Sequence, residues 1–136
     1  MPRILGVNAV GALLAAVAMF FVGFVFYGAL FSDIYMSARG FTEANYEANG
    51  QAWMAAGFLI ELVAAFGIGW VIKAKGARGL MPCLMAGVML ALLVALPMLS
   101  YEFVYGWRHD LPGLFVDWGH ALVAFAAGGA VLSFFD

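Results

Sequence analysis

The sequence predicts an all-α membrane protein, one domain over residues 1–136 built as a bundle of four transmembrane helices, and three observations predict it. Of the 136 residues 66% are apolar and only 10% are charged. A water-soluble domain of this size has no core large enough to hide that much apolar surface, so lipid must cover part of it. The apolar residues also gather into four runs of about 20 or more, the length a helix needs to cross a hydrocarbon core of about 30 Å. These runs are unalternated and rich in Ala and Leu, which favours helices over the period-two strands of a membrane barrel.

The first run, residues 4–31, follows Arg3 as the apolar region of a secretion signal would. It is longer than the roughly 7–15 residues of such a region, so a retained spanning helix is expected, long enough to tilt or protrude. Residues 32–51, "SDIYMSARGFTEANYEANGQ", then form the one substantial loop. Ile34, Tyr35 and Ala38 recur at helical spacing before Gly40, which predicts a short helix lying in the outer interface. Thr42 offers a cap for a further turn containing Glu43 and Tyr46. A lid over an outward-facing cavity and a plain solvated connection are both open readings of this loop.

The second run covers residues 52–72 and ends at the link "KAKGARG". A third, residues 80–101, opens with Pro82 and Cys83 and carries Pro97. Proline removes a helical hydrogen bond, so a bend is expected in the preceding turn, where it widens the outer half of the bundle. The fourth run, residues 111–135, reads "LPGLFVDWGHALVAFAAGGAVLSFF".

Basic residues set the expected orientation. Arg3, Lys73, Lys75 and Arg78 fall on one side, whereas the opposite loops hold Arg39 and Arg108 against Asp33, Glu43, Glu47, Glu102 and Asp110. Both termini are therefore expected to face the cytoplasm, in the inner membrane of a bacterium. Trp53, Trp70, Trp107, Tyr101 and Tyr105 stand near helix ends as interfacial anchors. Cys83, the single cysteine, has no partner for an intramolecular disulfide and is expected to pack as a small apolar residue. The chain has no phosphate-binding glycine loop, CxxC pair, nucleophile elbow or basic stripe, which argues against nucleic acid as a partner and makes an enzyme the least favoured class.

The stretch "FVGFVFYGALFSDIYMSARGFTEANYE", with its aromatic-Tyr-Gly, Leu-Phe and Gly-Phe-Thr-Glu steps, resembles the start of the small bacterial membrane proteins grouped as domain of unknown function 1761. The last helix, with His120 shortly after a polar residue in "DWGHALVAFAAGG", is similar to that family's final segment, although Ala29 and Gly119 depart from its pattern. The resemblance implies a four-helix membrane fold and no established activity.

The residues themselves point to chemistry in the last helix. Gly113, Asp117, His120, Ala121, Ala124, Ala127 and Gly128 fall on one stripe at steps of three and four, with Phe115, Trp118, Leu122, Phe125 and Leu132 on the other side. Small and polar residues belong at helix contacts, so Asp117 and His120 are expected to face the bundle. By helical rise His120 lies about 12 Å and Glu61 about 14 Å from the outer ends of their helices. Tyr27, Tyr101 and Glu102 stand near the same end of theirs. An ionisable residue at mid-helix costs roughly 2.5–3.5 kcal/mol to insert, so Glu61, Asp117 and His120 are expected to converge and share that burden.

Several roles fit such a cluster. With Glu102 at its mouth and Tyr101 and Tyr27 near the same outer end, it could bind or pass a proton, a cation or a small polar solute. Glu61, Asp117 and His120 could instead ligate a divalent metal such as zinc, manganese or iron. A buried hydrogen-bonded set that merely fixes helix register is a third reading. The glycines and alanines of the first two helices, Gly6, Gly11, Gly23, Gly28, Gly57, Ala64, Ala65 and Gly69, add a rival role in a homo-oligomer or as an accessory subunit of a membrane complex.

Overall fold

The computed structural model describes residues 2–39, 52–106 and 109–135. A small antiparallel hairpin, Arg3–Ile4 (β1) paired with Val7–Asn8 (β2), precedes the helices α1 (Ala9–Leu30), α2 (Ser32–Arg39), α3 (Ala52–Lys75), α4 (Leu80–Tyr105) and α5 (Leu111–Leu132). Four of these, α1, α3, α4 and α5, are long and apolar enough to cross a membrane. This is a multi-pass membrane protein.

The apolar run places the start of the first helix at residue 4, and the structure starts it at Ala9. Two local features account for the difference. Leu5 (φ 55°) and Gly6 (φ 79°) are both left-handed, the requirement of a tight hairpin turn of type I′. The side-chain oxygen of Asn8 then accepts from the amides of Val10 (3.0 Å) and Gly11 (3.1 Å), capping α1 at that point.

At its other end α3 runs past residue 72 to Lys75 and closes with Gly76 at φ 65°. The amide of Ala77 donates to Ile72 O and that of Gly76 to Lys73 O, the paired bonds of a Schellman stop. Gly79, at φ 84°, completes the reversal into α4. The hydrogen-bond ladder widens to the π pattern over Val25–Leu30 in α1 and over Ala91–Ala95 in α4. The second π segment lies just before Pro97, which lacks the amide that an α ladder would use there. The helix continues to Tyr105, beyond the expected end at residue 101.

Helix α5 is the hub. It packs extensively on α1 and on α4, and α2 also rests against it, while α1 pairs with α3 and contact between α3 and α4 is sparse. Its mean hydropathy, 1.4 against 2.0–2.5 for the other three, suits the span most enclosed by protein. Gly113, Asp117, Ala121, Ala124 and Gly128 are buried as the stripe predicts. Three residues of the opposite set depart from the expectation: Leu132 is buried, Phe125 packs against the core, and the Trp118 indole nitrogen donates to Ser100 Oγ of α4 at 3.1 Å. A helix with neighbours on two sides buries a wider arc than one stripe.

Close approach depends on glycine. A Cβ at Gly87 would overlap Phe125 O, and one at Gly129 would overlap Cys83 O, so the α4 and α5 backbones touch. Around this contact the core is mainly alanine, with Met19, Ile68 and Cys83 filling the larger gaps. A Cβ at Gly11 in α1 would lie 2.7 Å from Phe135, which puts both ends of the chain at the same end of the bundle. The expected turn after Thr42, with Glu43 and Tyr46, lies outside the described residues.

Candidate functional site

The polar cluster is assembled by α1, α3 and α5 at the end of the bundle opposite the termini. Glu61 projects from the middle of α3, and Asp117 and His120 from successive turns of α5. Tyr27 lies in the π segment of α1. Its hydroxyl donates to Asp117 Oδ1 at 2.5 Å, so Asp117, 6% exposed, is held by a hydrogen bond between two helices.

His120 is packed by aromatic rings. The Tyr27 ring stands 4.9 Å away, centroid to centroid, and Phe26 presents an edge at 5.9 Å. On the same face of α1, a Cβ at Gly23 would come within 3.1 Å of His120 Nε2, so glycine there makes room for the imidazole. Nε2 points toward α3, with Glu61 Oε1 3.9 Å away, and the two side chains are 19% and 15% exposed. Among the described residues Nε2 is buried without a hydrogen-bond partner. The separation lies within the range of an ion pair but beyond the roughly 3.2 Å limit of a good hydrogen bond.

The six residues singled out from sequence therefore divide. Glu61, His120, Asp117 and Tyr27 are brought together, with His120 touching both the Tyr27 ring and the Glu61 carboxyl. Tyr101 and Glu102 are exposed on the last turns of α4, where the Tyr101 ring lies 4.7 Å from that of Tyr105, centroid to centroid and tilted by 44°. Among the described residues no group of three His, Cys, Asp or Glu side chains is placed to hold a metal ion. The Glu61–His120 pair offers two ligands, whereas a structural zinc site takes four and a catalytic one three. Sequence reasoning gave Gly23 to helix association and missed Phe26, although Gly23 precedes Tyr27 by one helical turn and so shares its face.

A family model described as a protein of unknown function (DUF1761) matches residues 10–133, nearly the whole chain. The chain belongs to the DUF1761 family. No curated protein and no solved structure matches it. All four clustered residues fall within the DUF1761 segment, whereas the Arg3–Asn8 hairpin precedes it.

Proposed function

We propose that this membrane protein binds and passes a proton, or a small cation, at the Glu61–His120 pair in the outer half of the bundle. One observation carries the reading: a buried imidazole nitrogen without a hydrogen-bond partner among the described residues faces a carboxyl group 3.9 Å away, inside a membrane span. A purely structural pair would be expected to close that distance to a hydrogen bond, because an unmade bond in low dielectric is expensive. A group that takes up and releases a proton needs a partner near enough to stabilise the charge and a bond loose enough to break. Asp117 and Tyr27 act as the buttress, fixing the turn of α5 that presents His120.

The site faces the periplasm if the end carrying Arg3, Lys73, Lys75 and Arg78 lies in the cytoplasm, as the distribution of basic residues favours. An assembly role has less support. Gly11, Gly69, Gly87, Gly128 and Gly129 meet atoms of other elements of the same bundle, so much of the small-residue surface is already used internally.

The test is proton flux into proteoliposomes holding a pH-sensitive dye under an imposed potassium diffusion potential. Wild type is expected to move protons several times faster than empty vesicles, and Glu61→Gln and His120→Gln at the empty-vesicle rate. A wild type no faster than empty vesicles, or variants as fast as wild type, would sink proton passage. Elemental mass spectrometry on the same proteins separates the ions: stoichiometric metal in wild type that vanishes in both variants would assign the pair to a metal instead.

A further inference from the structure

The opposite end of the bundle carries a second polar feature that the cluster does not explain. A cavity of about 220 Å³ opens between the hairpin, the end of α3, the α3–α4 link and the end of α5. Three cations line it, Arg3, Lys73 and Arg78, and no carboxylate stands among its described lining residues, while Ile72, Leu132 and Phe135 supply apolar wall. It is smaller than the roughly 300–1,000 Å³ of sites for drug-sized ligands, so it suits a headgroup-sized anion.

The cavity is built rather than incidental. Lys73 Nζ and Arg3 both donate to Gly6 O, at 3.1 and 3.0 Å, which draws two positive charges to one carbonyl of the hairpin turn. A Cβ on Gly6 would overlap Lys73 Nζ, and one on Gly69 would lie 2.6 Å from Val7, so two glycines let the hairpin seat on α3. The N-termini of α1 and α4 and the C-termini of α3 and α5 meet at this end, and their dipoles oppose one another. The side-chain cations therefore set its sign. Next to them the hairpin tip exposes Ile4 and Leu5, at 54% and 71%. An apolar tip beside a basic cavity at the end of a membrane bundle matches a molecule that is anionic at its head and apolar below it.

We infer that this cavity binds the phosphate of an anionic phospholipid headgroup, with Lys73 and Arg78 as its principal contacts. The experiment is native mass spectrometry of the full chain in non-ionic detergent, titrated with phosphatidylglycerol, phosphatidylcholine or inorganic phosphate. Wild type is expected to prefer phosphatidylglycerol to phosphatidylcholine, and the double variant Lys73→Gln, Arg78→Gln to lose roughly thirtyfold in affinity for it. Lys75→Gln, which removes an exposed charge at the same end from outside the cavity lining, is expected to retain that preference. Equal binding of the two lipids, an equal loss in Lys75→Gln, or an unchanged double variant would overturn the inference. Full competition by inorganic phosphate would overturn the lipid as source and assign the cavity to a soluble phosphate.

Discussion

Asp117 and His120 are three residues apart on one helix, yet their surroundings give them different work. Asp117 is locked by Tyr27 across the α1–α5 contact, whereas His120 faces Glu61 without a hydrogen bond. Removing the tyrosine hydroxyl takes one partner from a buried carboxyl group, so Tyr27→Phe is expected to lower stability by about 1–2 kcal/mol. Asp117→Asn keeps an oxygen that can accept from Tyr27 and should lose less. Thermal unfolding in detergent ranks the two, and the reverse order would mean that the Tyr27 bond is not what holds Asp117. Glu61, Asp117 and His120 were legible in the sequence because an ionisable residue inside an apolar run is conspicuous. Tyr101 and Glu102 were read by height alone, and height does not say which face of α4 they occupy. The π segment Ala91–Ala95 inserts extra chain into the α4 turn, and each extra residue rotates the remainder of the helix by about 100°. No periodicity count made from the helix start can anticipate that rotation.

Among the elements, α5 decides the bundle because it packs extensively on both α1 and α4 and also meets α2 and α3. Its contact with α4 brings backbones together at Gly87 and Gly129, so adding a methyl there forces the helices apart. Gly87→Ala and Gly129→Ala are each expected to cost about 1–3 kcal/mol. Gly67, by contrast, has no atom within 4 Å of where its Cβ would be, so Gly67→Ala should be neutral or gain up to about 1 kcal/mol from helix propensity. Unfolding midpoints of the three variants check the ranking, and a Gly67→Ala loss as large as that of Gly87→Ala would show that propensity and packing have been assigned wrongly. Helix existence was easy to read, since length and hydropathy suffice. The start of α4 was read at residue 80, just after Gly79, and Asn8 carries a capping signal from which the start of α1 could have been placed. The hairpin could not, because Leu5 is an unusual residue for a left-handed turn and the apolar run continues across it.

Over the whole molecule, two polar regions lie at opposite ends of an alanine-rich core: a cluster of Tyr27, Glu61, Asp117 and His120, and a basic cavity around Lys73 and Arg78. Broad exposed surfaces of Phe21, Leu59, Ile60, Val63 and Leu93 between them suit the acyl chains. The class and the four spans were readable from composition, since no soluble packing accommodates so much apolar surface. The cavity was not, because Arg3, Lys73 and Arg78 signal orientation equally well whether or not the chain folds a pocket around them. Proton or cation passage requires Glu61 and His120 to act as one binding pair. Nitrogen NMR of histidine-labelled protein in lipid nanodiscs, titrated with pH and assigned with His109→Gln, reads the His120 imidazole directly. A coupled pair predicts that the His120 resonance titrates and that Glu61→Gln moves its midpoint; a resonance that never titrates, or a midpoint identical in the variant, would contradict it.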